Sequence, residues 1–183
     1  MSTKQWVALL RGINVGRQKR VAMADLRTLL ESLGYDGVRT HLQSGNALFR
    51  TEDVTGAKLE RQIASRIETD LGLDVKVLVR TSEQLETIVA ENPFVARCVD
   101  PKQLHVSFLS STPQAETIAA KIASLDRDEL APDELEIGDG VIYTRLPNGV
   151  IASHLPDWGR LLGVTVTARS WKTVTRLHDL ATG

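Results

Sequence analysis

The sequence predicts an α+β fold made of two related halves, on three observations. Alternating and helical apolar spacings follow one another in the order βαββαβ through the first half, the ferredoxin-like split unit. A second, looser series of the same kind, βαββα(β)α, fills the second half. Between the two, Pro93 and Pro101 break both periodicities. The 183 residues are enough for a substantial core. The expected organisation is a ferredoxin-like half at residues 1–91, a connector at 92–103 and a second α+β half at 104–183, the halves packing as one unit.

The first strand is read at residues 5–10, where Trp6, Ala8 and Leu10 alternate with Val7 and Leu9. Both sets are apolar, the mark of a strand covered on both faces. In the helix at 23–33, Met23, Leu26, Leu29, Leu30 and Leu33 share one face, and Gly34 is placed to end it. No Ser, Thr, Asp or Asn directly precedes Met23, so the first amides of this helix lack a local side-chain cap. Residues 38–43 read as a strand with Val38, Thr40 and Leu42 opposite Arg39, His41 and Gln43. Ser44-Gly45-Asn46 reads as a tight turn, and 47–51 as the returning strand. Thr55 is placed to cap a helix with Leu59, Ile63, Ile67 and Leu71 in register, closed by Gly72. Val75, Val77 and Val79 mark a fourth strand, and a third helix spans 82–92. One core is expected to hold Leu29, Ile63 and the three valines.

The second half opens with a strand at 104–109. Thr112 as cap and Pro113 at the first helical position then start a helix through Ile118, Ile122 and Leu125. A hairpin at 135–146 turns about Gly138-Asp139-Gly140. A short helix at 155–162, a short strand at 164–166 and a helix at 170–180 complete the chain. The order suggests a structural repeat without visible sequence self-similarity.

Net charge is −1, so nothing global demands a nucleic acid or a membrane partner. The distribution is uneven: Lys4, Arg11, Arg17, Lys19 and Arg20 precede the first acid, and residues 158–178 carry Arg160, Arg169, Lys172 and Arg176 without one. Ordinary solvated faces are one reading of such runs; the other is that the two basic ends lie near each other as one cationic patch, suited to a polyanion partner. Cys98 is the single cysteine, which suits a reducing compartment. No signal-like segment opens the chain and no apolar run approaches the ~20 residues of a membrane span, so a cytoplasmic protein with no membrane partner is expected. The four His are scattered and no metal-ligand spacing occurs, so neither metal nor cofactor is expected.

The LLRGINVG run, the SGN turn and the closing T-x-R-x-W-x-T segment (Thr167, Arg169, Trp171, Thr173) together resemble domain-of-unknown-function family 1697. The resemblance covers nearly the whole chain. It implies an α+β fold of ferredoxin-like character and a bacterial cytoplasmic protein, and it implies no activity. Arg17 stands where that family usually has a second glycine, His41 where tyrosine is frequent, and Ser170 where asparagine is frequent.

Candidate site residues come from topology. In a split βαβ unit the first two strands run parallel, with the third reversed between them. The loop at 11–16 and the turn at 44–46 therefore meet at one sheet end. Arg11, Gly12, Asn14 and Gly16 on one loop and Ser44, Gly45 and Asn46 on the other offer a guanidinium, amides and a hydroxyl, which suit phosphate or carboxylate. The alternative is that the glycines shape turns which Arg11 and Asn14 tie together. Gly12 and Gly16 are four apart with no Lys-Ser/Thr after them, and G-x-G-x-x-G is absent, so neither phosphate-loop fingerprint is present. Arg169 and Trp171 join the ligand-binding candidates; Trp171 could equally anchor a helix. No catalytic residue is assigned: Cys98 lacks a surrounding signature and Ser44 lies outside G-x-S-x-G. Base stacking as in RNA-recognition modules would rest on Trp6 and Phe49, in a chain with three Trp, two Tyr and three Phe. The leading expectation is binding of an anionic small molecule or a nucleic-acid backbone. The alternatives are an enzyme acting on a phosphorylated or carboxylated small molecule at the same cleft, and a protein–protein interaction module.

Overall fold

A computed structural model describes residues 3–16, 19–52, 54–110 and 115–183. Arg17, Thr112 and Pro113 lie outside the described residues. The chain divides into two compact units, residues 1–87 with 176–183, and residues 88–175.

The first unit runs β1 (Thr3–Leu10), α1 (Met23–Ser32), β2 (Asp36–His41), β3 (Asn46–Glu52), α2 (Gly56–Leu71), β4 (Val77–Thr81) and into α3 (Ser82–Ala90). Its sheet has the order β2-β3-β1-β4, antiparallel throughout, so the split βαβ arrangement predicted from the order of elements is present. β1 is a central strand, which is why both faces of Val7–Leu10 are apolar and buried. Trp6, Ala8 and Leu10 join Met23, Leu26, Leu29 and Leu30 of α1 and Leu59, Ile63 and Ile67 of α2 in one core. Val75, Val77 and Val79 belong to the same core, as the alternation predicts. Phe49 is fully buried there and stacks on Tyr35 with ring centroids 4.6 Å apart. Trp6 and Phe49 are thus core residues rather than a platform for bases.

The second unit repeats this plan. β5 (Leu104–Leu109), α4 (Ala115–Ala123), the one-turn α5 (Arg127–Leu130), β6 (Glu134–Gly138), β7 (Val141–Arg145), α6 (Trp158–Leu162) and β8 (Val166–Ser170) lead into α7 (Trp171–Thr182). Its sheet order, β6-β7-β5-β8, is that of the first sheet strand for strand. The registers correspond as well. Val7 pairs with Arg80 and Val106 with Arg169, while Leu10 pairs with Val77 and Leu109 with Val166. Leu109, Ile142 and Leu135 pack under Ile118 and Ile122 of α4 and Trp158 and Leu162 of α6.

Several boundaries differ from those the sequence predicts. Asn46 is the first residue of β3, so the turn is Leu42–Gly45 rather than Ser44–Asn46; Leu42 adopts φ 59°, which a branched apolar residue does not advertise. Thr55 stands at the N-cap of α2, but its side chain makes no capping bond. β4 begins at Val77, two residues later than its first valine, and β8 runs Val166–Ser170 rather than 164–166. The start of α3 carries a sequence signal that apolar spacing does not register. Thr81 Oγ1 accepts from Gln84 N at 3.2 Å and Gln84 Oε1 accepts from Thr81 N at 2.9 Å, a capping box.

Because Ile63 is fully buried on α2, Ile63→Ala should lower the stability of the protein by ~2–5 kcal/mol. A urea titration measures it; a change of a few tenths would mean the face is not packed.

Candidate functional site

The end of the first sheet is built from three connections: residues 11–22, the turn 42–45 and residues 72–76. The N–H of Leu10 donates to Gly45 O at 2.8 Å and that of Arg11 to Lys76 O at 2.9 Å, so the exit of β1 fastens both neighbouring connections. Asn14 closes the assembly. At φ 55° it takes the left-handed conformation that Asn tolerates well. Its Nδ2 donates to Val21 O at 2.9 Å and Gln43 O at 2.6 Å, and its Oδ1 accepts from Val21 N at 2.9 Å. Its own N–H donates to Lys19 O at 3.1 Å. Lys19 Nζ in turn donates to Asp74 O at 2.6 Å. Asn46 is fully buried, and its Nδ2 donates to His41 O and Ser44 Oγ, both at 2.9 Å, bracing the turn from inside.

Topology therefore brings Arg11, Gly12, Asn14, Gly16, Ser44, Gly45 and Asn46 to one sheet end, as read from the sequence. Their side chains differ in what they leave available. Arg11 is exposed, with no side-chain partner among the described residues. Gly12 and Gly16 face open space, since a Cβ on either would meet nothing within 4 Å. Gly45 is closed off: a Cβ there would lie 2.7 Å from Ile13 Cδ1 and 2.8 Å from Leu10 Cβ. Its missing side chain serves the packing of Ile13. Lys76 and Lys19 lie beside Asp74, whose carboxyl is held below its usual range first by the hydrogen bond from Lys76. The α1 start carries no side-chain cap, and Asp25 is the acid of its first turn. Two apolar side chains project from the same connections, Val15 at 73% and Leu42 at 57% exposure.

Arg169 and Trp171 lie in the second unit. Arg169 occupies the β8 position that matches Arg80 in β4. The two side chains make the same bond to their own strand, Arg80 Nη1 to Val79 O and Arg169 Nη1 to Ala168 O, each at 2.8 Å. Arg169 also donates to Thr167 Oγ1 at 2.8 Å, which links two residues of the T-x-R-x-W-x-T segment. Burial lowers its pKa to about 10, leaving it charged at neutral pH. Trp171 is buried at the start of α7.

Three hollows lie among the described residues: one at Phe94, Arg97 and 131–136, one at the opposite end of the first sheet about Tyr35 and Gln62, and one on the second sheet about His105 and Ser107. None of these three is lined by the candidates above. The last escapes a reading of the sequence, although His105 and Ser107 put two polar side chains on the strand face that ends in Leu109. Among the described residues, no group of three or more His, Cys, Asp or Glu could hold a metal ion, and no helix is long and apolar enough to cross a membrane.

Two outcomes follow. Gly12→Ala carries only backbone strain, roughly 1 kcal/mol, whereas Gly45→Ala adds overpacking of about 1–3 kcal/mol against Ile13; equal losses in thermal unfolding would contradict the packing role. Burial and then the Arg176 charge hold the His41 imidazole below its ordinary value. The unfolded chain, titrating near ~6.5, then binds the proton more readily, so stability falls as pH drops through that value and is retained above it. Burial shifts His105 in the same direction, so His41→Gln should remove part of this slope in urea titrations across that pH range.

The profile of a protein family of unknown function, DUF1697, matches residues 3–143. Among solved structures, the conserved bacterial protein SP0830 from Streptococcus pneumoniae is similar in fold, with 22% identity, a TM-score of 0.77, and coverage of 98% of this chain and 99% of that one. No curated protein matches the chain. The profile match spans most of both sheets, and the chain belongs to the DUF1697 family.

Proposed function

We propose that this protein binds an anionic ligand, a phosphate-bearing small molecule or a nucleic-acid backbone, at the end of the first sheet where Arg11 stands. The observation that carries the proposal is the exposed Arg11 guanidinium, free of partners among the described residues, three positions before an Asn14 that is hydrogen-bonded to Val21 and Gln43. A fixed backbone lowers the ordering cost of binding. The open backbone at Gly12 and Gly16 and the two ammonium groups of Lys19 and Lys76 beside the single carboxylate of Asp74 support the same reading. In this reading Arg11 supplies the charge-assisted bond, while Asn14, Gly45 and Asn46 hold the platform. Ser44, exposed in the turn, is the hydroxyl donor. Arg169 and Trp171 are left to the second unit's own framework.

A second reading, a protein partner at the same end, is favoured by Val15 and Leu42, two large apolar side chains exposed on the converging loops. An association insensitive to salt and lost on Val15→Ser with Leu42→Ser would identify it.

Calorimetric titration of pyrophosphate, ATP and a single-stranded oligonucleotide tests the anion site. Arg11→Ala should weaken binding about tenfold or more, the loss of a charge-assisted bond of roughly 1.5–3 kcal/mol, with thermal stability little changed. Oligonucleotide binding should fall steeply with salt if the backbone is the ligand. If wild type binds none of the three, the anion reading is wrong.

A further inference from the structure

Four positions on the helix-covered face of the first sheet are Trp6, Ala8, Phe49 and Val79, all buried and apolar. The matching register positions of the second sheet are His105, Ser107, Thr144 and Ala168. The helix above them differs too. In the first unit α2 crosses the sheet with 16 residues, whereas its counterpart α6 has only 5. Residues 146–157 pass over the sheet instead, with a single helical turn at Val150–Ala152. Beneath this segment lies a pocket of about 210 Å³. Its floor is the four residues just named, and its walls include Leu146, Leu155 and Trp158.

The polar groups of this floor are under-used. His105 Nδ1 is buried without a hydrogen-bond partner. Ser107 is buried, and its hydroxyl has no partner among the described residues. Among the described residues, Thr144 Oγ1 reaches His105 O alone, at 3.4 Å. Buried polar groups are otherwise satisfied as a rule, so a floor of this kind calls for a ligand's donors and acceptors. Among the described residues no charged side chain lines the pocket, and burial keeps the imidazole neutral at ordinary pH. A charged guest would therefore be buried without a counter-charge. A cavity of ~150 Å³ holds one benzene ring, so this one admits a ring with polar substituents.

We propose that this pocket is a second binding site, specific for a small uncharged molecule with one hydrogen-bonding edge and an apolar body about the size of a single ring. The edge donates to His105 Nδ1 and accepts from Ser107, and the body lies against Leu146, Leu155 and Trp158. The site is independent of the anion platform, because every residue that lines it belongs to the second unit.

Amide chemical-shift titration of the full chain with phenol and with uracil tests the proposal, with benzoate as the charged control. At least one neutral probe should give saturable shifts confined to residues 105–107, 144–146 and 153–158, with benzoate binding at least tenfold more weakly. Thr144→Phe, which installs the first unit's Phe49 in the floor, should abolish the shifts while the remaining spectrum stays folded. Ser107→Ala, which keeps the pocket and removes one hydroxyl, should weaken binding at least threefold. If Thr144→Phe does not fold, Ser107→Val is the filling variant. Absence of saturable shifts with both neutral probes, equal binding of benzoate, or shifts unchanged by filling the floor would each overturn the proposal.

Discussion

Each sheet is locked at one end by two hydrogen bonds from the residues at which its central strand ends. Leu10 donates to Gly45 and Arg11 to Lys76; in the second unit Leu109 donates to Gly140 and Ser110 to Thr165, each between 2.8 and 2.9 Å. Both acceptor glycines have positive φ, 77° at Gly45 and 66° at Gly140. That conformation, cheap for glycine and strained for other residues, turns the hairpin carbonyl toward the strand end. The clasp joins three connections that are far apart in sequence, so each sheet end has a backbone frame, to which side chains such as Asn46 in the first unit and Ser110 in the second add their own bonds. In the first unit Asn14 builds on it, tying the long loop after β1 to Gln43 and Val21.

Once the clasp is common to both units, their differences become informative. The repeated backbone keeps strand order, register and a strand arginine, Arg80, buried, in one unit and Arg169, half-buried, in the other. The covering layer changes. A long α2 excludes water from Trp6, Ala8, Phe49 and Val79, and apolar side chains follow. A short α6 leaves the corresponding part of the second sheet under irregular chain, where hydroxyls and an imidazole are found. At the start of the following helix the units converge again in chemistry. The Thr81–Gln84 capping box has its counterpart in Ser170 Oγ and Thr173 Oγ1, 3.1 Å apart.

Much of the fold is legible in the sequence because burial imposes a period. The two-sided apolarity of Val7–Leu10 marks a central strand, and the spacing of Leu59, Ile63 and Ile67 marks the buried face of α2. The meeting of the 11–16 and 42–45 connections is legible from topology alone. What is not legible depends on contacts between distant residues. Nothing local to Leu42 announces a left-handed backbone, and nothing local to Gly45 says that Ile13 fills the space of its missing side chain. Only the hydrogen bonds separate Asn14, which braces the loop, from Arg11, which projects from it. The pocket over the second sheet is hidden for another reason. His105 and Ser107 look like ordinary strand polarity until the register sets them opposite Thr144 and beside the short α6.

The central claim is that the first sheet's end is a rigid platform rather than a set of mobile loops. Native-state hydrogen exchange of the Leu10, Arg11, Asn14 and Val21 amides tests it most directly, since these four N–H groups make the bonds that define the platform. All four should be protected to within about tenfold of the β1 core amides and should open together with them. Exchange of Asn14 and Val21 at near-random-coil rates, with the β1 amides still protected, would contradict it.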